Sequence, residues 1–461
     1  MKSIFSNTSF WGLNVLLGLF ICTMSFTSCD DNDSNETSPI TIKKVYLEDA
    51  SSSVPDREVT FARLGQLLRI EGSGFTGLKR VYINGYSTYF NPVFLSDNSM
   101  LISVSKETPI KDIGLLNRNR IRFVKDGAQV SYRFEIRSSA PTVTDISHTM
   151  PLAGETITIY GEGLTEVSKV VFPGNIEVTG SITSDADGEF CTVVVPAGIT
   201  ESGAVFIECA NGGAYSPAYF NFKKGLILDF DGKGSHGSWG SSESMIFPED
   251  LKSASIGTGN VSQGTYCAHR PERITEFAPA KNRCSEVWTA GTGVDDWRGQ
   301  LTPYIPATTP LDQVALQFDI YVPAVWQGSG YLKICLINNF NGGEWSKESY
   351  NYVPWIVGKE IVPFQTEGWK TVTIPLNKLY SFSDDDYTFE DVLARREAAT
   401  YSNFGFYFEN SDFTLKNITG NDSDDTVEFP SAPTSVQVYT DNWRVVPLDT
   451  PTYTDFPEED E

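Results

Sequence analysis

GQLLRIEGSGF at residues 65–75 recurs 89 residues later as GETITIYGEGL at residues 154–164. The register continues downstream, where Val81-Tyr-Ile-Asn-Gly85 matches Val170-Val-Phe-Pro-Gly174. Apolar and polar residues alternate in both copies, and a Gly-x-Gly turn follows each alternating run. This pattern is typical of the short strands of a β-sandwich. The stretch therefore predicts that one all-β domain occurs twice.

The two copies resemble IPT/TIG domains, which are immunoglobulin-like modules. Each copy opens with a proline and a short strand, at residues 39–45 and 141–146. The resemblance covers residues 38–224 and implies β-sandwiches at 38–137 and 138–224. The glycine turn does not predict a phosphate loop, because no helix pattern follows it and the third glycine of that fingerprint is missing.

Composition and charge exclude several classes of protein. The chain has 461 residues, a net charge of −24 and 40% hydrophobic residues. This apolar content is sufficient for packed cores. The acidic charge argues against nucleic-acid binding, which requires clustered lysines and arginines. Only 3 histidines are present, which argues against a histidine-rich metal site.

The N-terminus predicts a secreted and lipidated protein. Met1 and Lys2 precede an apolar run at residues 10–24, as in a signal peptide. Ser25-Phe-Thr-Ser-Cys29 resembles the lipobox of bacterial lipoproteins, which implies removal of residues 1–28 and acylation of Cys29. The acidic tether at 29–37 resembles the export signal of surface lipoproteins in glycan-degrading Gram-negative bacteria. The alternative is a soluble secreted protein in which Cys29 forms a disulfide.

Five further cysteines leave the disulfide pattern open. Cys191 and Cys209 flank residues 196–203 symmetrically. A simple hairpin would bring them to bridging distance, whereas two buried free thiols are equally compatible with the sequence.

Tryptophan marks a boundary near residue 224. Residues 30–224 contain no tryptophan, whereas eight of the nine in the chain follow residue 225. We therefore expect spacer domains first, a binding domain at 225–450 and an acidic tail at 451–461. Within the binding domain only Phe389 to Ala399 looks helical. Strand patterns occur at 226–232, 314–323, 331–337, 368–376, 403–408 and 436–446.

Three short motifs carry a second resemblance. Asp229-Phe-Asp-Gly232, the run from Gly368 to Leu376 and the run from Asp441 to Pro447 resemble parts of jelly-roll carbohydrate-binding modules. A lipidated cysteine, tandem IPT/TIG domains and a tryptophan-rich β-domain, in this order, resemble the surface glycan-binding proteins of polysaccharide-utilisation systems. The resemblance implies a non-catalytic protein at the outer-membrane surface. It also implies partners, namely a polysaccharide, a TonB-type transporter and surface hydrolases.

An aromatic surplus suits sugar binding, because a planar ring can cover the C–H face of a pyranose while polar groups bind its rim. Three such platforms bury enough area for an affinity between tens of micromolar and millimolar, on the order of 7 kcal/mol before association costs. Aromatic residues in strand patterns, such as Phe318, Phe406, Phe408, Trp369 and Trp443, are expected in the core. Aromatic residues in loops are better candidates, although a hydrophobic plug is the alternative for each. The predicted glycan-binding residues are Tyr352, Trp355, Trp345, Trp326 and Trp297, with Arg298, Asn338 and Asn339 at the rim.

Other functions and ligands stay open at this point. Paired carboxylates would suffice for a glycoside hydrolase, and the repeats alone would suffice for an adhesin that binds a protein. No catalytic residue and no cofactor is predicted. A structural Ca²⁺ on Asp229, Asp231 and Asp441 is weighed against solvated or capping carboxylates. The acidic charge favours a neutral β-linked glycan, such as a hemicellulose or β-glucan.

Overall fold

The structure is a computed structural model that describes residues 38–48, 57–110, 113–234, 244–253, 263–278, 281–289, 295–338, 348–358, 360–383, 386–416 and 426–452. The signal peptide, Cys29 and the acidic tether lie outside these residues. The chain forms two compact units, one ending at Ile136 and the other beginning at Arg137. No helix among the described residues is long and apolar enough to cross a membrane.

The first unit is a β-sandwich with its own core. Its sheets have the strand orders β1-β3-β6 and β5-β4-β7-β8, and β2 pairs with β9. Alternate residues of facing strands, such as Ile70, Val81 and Phe123, are fully buried between the sheets. The strands in chain order are β1 (Thr41–Glu48), β2 (Phe61–Arg63), β3 (Leu67–Ser73), β4 (Leu78–Ile83), β5 (Tyr86–Thr88), β6 (Ser99–Ser103), β7 (Arg120–Lys125), β8 (Ala128–Arg133) and β9 (Glu135–Arg137).

The second unit begins with a sandwich of the same kind. Its two sheets have the orders β10-β11-β15-β14 and β13-β12-β16-β17. The strands are β10 (Thr142–Ile146), β11 (Thr156–Glu162), β12 (Lys169–Phe172), β13 (Ile176–Val178), β14 (Ile182–Ser184), β15 (Phe190–Val194), β16 (Phe206–Cys209) and β17 (Gly212–Tyr215).

The repeated glycines explain why the motif recurs. A Cβ atom on Gly72 would overlap the carbonyl oxygen of Thr41, and one on Gly161 would overlap that of Thr142. In each copy the opening strand has a β-bulge at its third residue, and just before the bulge it pairs directly with the glycine. The same backbone approach thus requires glycine at both positions.

The expected hairpin between Cys191 and Cys209 is not formed. Cys191 lies on β15 and Cys209 on β16, and these strands belong to opposite sheets of the sandwich. Both thiols are buried, and neither forms a disulfide. Burial, and then the neighbouring Cys209 thiol, raises the pKa of Cys191 to about 12. The disulfide alternative is therefore wrong for this structure, because 196–203 is a crossover between sheets rather than a two-strand turn.

The rest of the second unit is a larger sandwich of jelly-roll type. One sheet, here called the first sheet, has the order β19-β20-β31-β22-β27, with β18 also paired to β31. The other, here called the second sheet, has the order β21-β28-β23-β24. The strands of the two sheets are β18 (Leu226–Leu228), β19 (Leu251–Lys252), β20 (Tyr266–His269), β21 (Arg283–Trp288), β22 (Val314–Tyr321), β23 (Tyr331–Cys335), β24 (Ser349–Tyr352), β27 (Lys370–Pro375), β28 (Gly405–Glu409) and β31 (Val438–Pro447).

Short elements complete this sandwich. The predicted helix is α2, and Thr388 and Asp391 cap its start reciprocally. The elements are β25 (Ile356–Val357), β26 (Glu360–Ile361), β29 (Phe413–Lys416), β30 (Thr426–Phe429), α1 (Trp297–Leu301) and α2 (Phe389–Ala398).

The two sandwiches of the second unit share a contact that is polar and buried. Arg444 of β31 is fully buried and donates to Asp319 (2.9 Å) and to Thr149 of the preceding sandwich (2.8 Å). His148 lies beside it, with Nδ1 3.0 Å from Glu155 and Nε2 3.7 Å from Asp319. The loop at 147–150 therefore covers the part of the first sheet where these charges lie.

Candidate functional site

Two of the predicted platform residues lie in the core. Trp355 is 0% and Trp326 1% exposed. The indole N–H of Trp355 donates to the carbonyl of Gly330 (2.8 Å), and that of Trp326 donates to the carbonyl of Ser329 (3.0 Å). Trp326 stacks on Phe408 at 5.6 Å between ring centroids. Both rings thus plug one end of the sandwich, which was the alternative weighed for them.

Tyr352 and Trp297 are also held by packing. Tyr352 is half-buried and meets Phe318 edge-on at 5.5 Å. Burial raises the pKa of its hydroxyl. Trp297 is 2% exposed, donates to Asp295 (3.0 Å) and is covered by the guanidinium of Arg396, 3.9 Å from its ring centroid. Trp297 is therefore closed to solvent, whereas Tyr352 stays partly accessible.

The remaining predicted residues differ in what the structure describes. Trp345 and Asn339 lie outside the described residues, and Asn338 is half-buried. Arg298 is on the surface, where it forms paired hydrogen bonds with Glu390 and Glu397 of α2. These two carboxylates raise the pKa of Arg298. Its donors are used within the protein, so it serves the attachment of α1 to α2 in this structure.

Four of the five aromatic residues in strand patterns, namely Phe318, Phe406, Phe408 and Trp443, lie in the main core as predicted, whereas Trp369 belongs to a separate cluster. Trp443 is sandwiched between Phe318 at 4.3 Å and Phe406 at 4.1 Å, with nearly parallel rings. This stack joins the first sheet to the second, so it fixes the spacing of the sandwich.

The outer face of the second sheet carries aromatic rings that the core does not use. Trp288, Tyr407 and Cys335 form, with Met245, a cluster separate from the main core. Trp288 and Cys335 flank Gly405 across the sheet, and a Cβ on Gly405 would overlap the Trp288 ring. The Trp288 indole therefore packs directly against the backbone at position 405, where only glycine leaves room for the ring.

Charged and polar groups surround these rings. The Trp288 N–H donates to Glu286 (2.7 Å), which also accepts from Ser244 (2.6 Å) and pairs with Arg283 (3.0 Å). Tyr331 of β23 lies directly opposite Glu409 of β28. Burial raises the pKa of Tyr331, and the negative charge of Glu409 raises it further.

Next to these buried rings lie polar side chains that are more exposed to solvent. Lys333 is half-buried and pairs across strands with Asn351, which is exposed. Trp288 and Tyr407 are each 2% exposed. We define the outer face as the outward side chains of the second sheet, namely Arg283, Glu286, Trp288, Tyr331, Lys333, Cys335, Ser349, Asn351, Tyr407 and Glu409.

The outer face was not predicted from the sequence, because aromatic residues in loops rather than in strands were the candidates for glycan binding. The signal was present in the alternation: Phe406 and Phe408 point into the core, so Tyr407 between them must point out. The same argument applies to Lys333, which lies between Leu332 and Ile334.

A second aromatic cluster lies on the outer side of the first sheet. Tyr266, Tyr321 and Trp369 are 3–6% exposed and pack with the half-buried Tyr439. Trp369 meets Tyr266 at 5.5 Å, and its indole nitrogen has no hydrogen-bond partner among the residues that the structure describes. This cluster adjoins the contact with the preceding sandwich, because Gln263, just before β20, donates to the carbonyl of Met150.

Two of the carboxylates considered for Ca²⁺, Asp229 and Asp231, accept hydrogen bonds from backbone N–H groups. Asp229 accepts from the N–H groups of Asp231 (2.9 Å) and Lys233 (2.8 Å). Asp231 accepts from the N–H of Thr265 (2.7 Å). The described residues contain no group of three or more histidine, cysteine, aspartate or glutamate side chains that could hold a metal ion.

Comparison with known proteins gives a family for this domain. Residues 220–447 match the model of the surface glycan-binding protein B xyloglucan binding domain. An IPT/TIG domain-containing protein of Bacteroides ovatus is 28% identical over 314 residues, which are 68% of this chain and 54% of the relative. The chain therefore spans about half the length of that curated relative.

A solved structure supports the fold. The surface glycan-binding protein PbSGBP-B from Prevotella bryantii is 18% identical, with 89% of this chain and 99% of that chain covered and a TM-score of 0.57. The similarity extends over most of the chain and therefore includes the tandem sandwiches as well as the larger one.

Proposed function

Because residues 220–447 belong to the xyloglucan-binding domain family of surface glycan-binding protein B, we propose that this chain is a non-catalytic surface protein that binds a neutral β-linked glycan. The family match is the observation that carries the proposal. A polymer with a β-glucan backbone, such as xyloglucan, is the first ligand to test. The IPT/TIG-type sandwiches then serve as spacers.

The outer face of the second sheet is the proposed binding surface. Its aromatic rings lie away from the core, and carboxylates, a lysine and an amide alternate with them over four neighbouring strands. Rings suit the apolar faces of a pyranose, and the polar groups suit its hydroxyls. The other aromatic cluster adjoins a contact between sandwiches, which leaves less room for an extended chain.

Burial of the rings affects the expected affinity. Trp288, Tyr407 and Tyr331 are each at most 3% exposed, so a sugar reaches them only after the surface rearranges. That rearrangement reduces the net gain from roughly 2.5 kcal/mol for each ring covered. We therefore expect dissociation constants of tens of micromolar or weaker, which suits a protein that must release its polysaccharide.

Charge supports a neutral ligand. Residues 225–461 contain 35 acidic and 16 basic residues, a net charge of −19. Sulfated or uronic polymers would be repelled by this domain. Neutral hemicelluloses and β-glucans would not be.

Affinity electrophoresis tests the proposal. The chain is run through gels that contain xyloglucan, mixed-linkage β-glucan, xylan, mannan or starch. We expect retardation by xyloglucan or another β-linked glycan and none by starch. Unretarded migration in every neutral β-glycan would contradict the proposal. Release of reducing ends from any of them would favour the hydrolase alternative.

Anchoring and import form the cellular part of the proposal. Acylation of Cys29 would hold the protein at the outer-membrane surface, and captured glycan would pass to a TonB-type transporter and surface hydrolases. The lipobox-like residues 25–29 support the anchor. Metabolic labelling with a fatty-acid analogue tests it, because Cys29→Ala should abolish incorporation.

A further inference from the structure

The first unit has a charge opposite to that of the rest of the chain. Residues 38–137 contain 15 basic and 10 acidic residues, a net charge of +5, within a chain of net charge −24. The equivalent sandwich at 138–224 has 3 basic and 10 acidic residues, a net charge of −7. The two copies share a fold, so the fold does not require this difference.

Four arginines of the first unit share one surface, here called the arginine face. Val81, Ile83, Ile121 and Phe123 of β4 and β7 are fully buried in the core, so the residues that alternate with them point outward. The outward side chains are Arg80 and Tyr82 on β4, Arg120 and Arg122 on β7, and Ser131 and Arg133 on β8.

No acidic side chain neutralises this face. None of its four arginines forms an ion pair in the described part of the chain. The guanidinium of Arg122 lies 4.3 Å from the ring centroid of Tyr82, and Arg80 approaches the Tyr82 hydroxyl at 3.4 Å. The Nε atom of Arg122 is shielded from solvent and has no hydrogen-bond partner among the described residues. The four guanidinium groups therefore carry positive charge that no described acidic side chain pairs with, which suits an anionic ligand.

The arrangement is unfavourable without an anion. Arg120 and Arg133 are directly opposite each other on neighbouring strands, where like charges destabilise a sheet. The second sandwich shows the usual solution: Lys169, which matches Arg80 at the offset of 89, pairs with Glu208 at 2.9 Å. The first unit lacks such a partner.

Two leucines lie just ahead of β7. Leu115 and Leu116 are 85% and 89% exposed, in the turn that leads to Arg120. Arginine forks bind phosphate oxygens in pairs, and exposed apolar side chains beside basic ones are typical of surfaces that enter a lipid interface.

We propose that the arginine face, together with Leu115 and Leu116, docks the first unit onto an anionic lipid surface through its phosphate groups. The arginines lie on three neighbouring strands and so can contact several phosphate groups at once, and the face lies on the unit that follows Cys29 most closely in sequence. That last point rests on the proposed anchor, whereas the charge and exposure of the face do not.

Vesicle sedimentation tests the proposal with residues 29–461, the chain expected after removal of the signal peptide, carrying Cys29→Ser so that it cannot be acylated. The vesicles contain phosphatidylcholine with or without phosphatidylglycerol. We expect binding only when phosphatidylglycerol is present. Arg80→Glu with Arg133→Glu should weaken it by roughly thirtyfold, since each basic residue near an anionic surface contributes about 1 kcal/mol. Leu115→Ser with Leu116→Ser should weaken it further at high salt.

The matched control is Lys43→Glu with Lys106→Glu, which changes the net charge of the same unit equally at exposed sites off the face. Its binding should stay within about threefold of the parent. Equal loss in both double variants would overturn the proposal, because net charge alone would then explain binding. Binding to an acidic polysaccharide or protein but not to vesicles would also overturn it. Xyloglucan retardation, measured in parallel, reports separately on the glycan proposal.

Discussion

At the residue scale, tryptophan has three different roles in this chain. Trp443 joins the two sheets, Trp355 plugs one end of the sandwich, and Trp288 lies on an outer face beside Glu286. All three are almost fully buried, so exposure alone does not separate structural from binding roles. What separates them is whether the ring packs in the main core or on its outer side.

Replacement of single tryptophans tests this distinction. Trp355→Ala should lower the free energy of unfolding by about 3–5 kcal/mol, because it leaves a cavity in the core. If the variant remains folded, its affinity for xyloglucan should be unchanged. Trp288→Ala should weaken binding at least tenfold. Thermal unfolding and calorimetric titration of both variants check these outcomes, and equal affinities would contradict the assignment.

His148 predicts a pH dependence of stability. Burial alone would lower its pKa, but the nearby carboxylate of Asp319 and the hydrogen-bonded carboxylate of Glu155 outweigh burial and raise it above 6.5. The effects on Asp319 have the opposite sign: burial would raise its pKa, but the charge of Arg444 and the neighbouring His148 lower it to about 2. The protonated His148 ring therefore stabilises the fold fully below pH 6.5, and this stabilisation is lost as pH rises through the raised pKa.

Calorimetry from pH 5.5 to 9 measures this effect. Relative to the parent, His148→Gln should be destabilised most at low pH, with the difference in Tm shrinking as pH rises. Each pKa unit of elevation corresponds to about 1.4 kcal/mol. A constant difference across the range would show that protonation of His148 does not contribute.

The site was only partly predictable from these residues. The sequence correctly placed Phe406 and Phe408 in the core, since period-two alternation reports which side chains share a face. It could not show that Trp326 and Trp355 turn inward from their loops, because loop side chains have no such period. The direction of a loop aromatic depends on the tertiary contacts that close over it.

At the element scale, the repeated glycines make a sharp prediction. Gly161→Ala should lower the free energy of unfolding by more than 2 kcal/mol, because the added Cβ overlaps the carbonyl of Thr142. Gly72→Ala should act in the same way on the first unit. Gly180→Ala is the matched control, since nothing lies within 4 Å of its Cβ position. Denaturant unfolding of the three variants checks this, and equal stabilities would contradict it.

Strands were predicted better than their connections. All six strand patterns expected between 226 and 446 contain observed strands, because each alternates or runs apolar over strand length. The sequence patterns missed the other strands of this sandwich, among them β20, β21 and β24. The Cys191–Cys209 hairpin was wrong because sequence symmetry about a turn does not distinguish two paired strands from a crossover between facing sheets.

At the scale of the whole molecule, the second unit has one continuous core. Buried residues of the sandwich at 138–224 and of the larger sandwich belong to the same cluster, and Arg444 donates to Thr149 between them. A fragment of residues 137–461 should therefore keep both its Tm and its glycan affinity. A fragment of 225–461 should be less stable by several kcal/mol, because Arg444 and Asp319 lose their cover. Equal Tm values for the two fragments would contradict this.

The central claim is that the outer face of the second sheet binds a β-linked glycan. Calorimetric titration of a xyloglucan oligosaccharide into the full chain, into Lys333→Ala with Asn351→Ala, and into Lys252→Ala tests it most directly. Lys252 is an exposed lysine of the first sheet and serves as the matched control. We predict that the double variant binds about thirtyfold more weakly, because each of the two lost hydrogen bonds contributes roughly 1 kcal/mol, and that the control binds like the parent. Unchanged affinity in the double variant would contradict the claim.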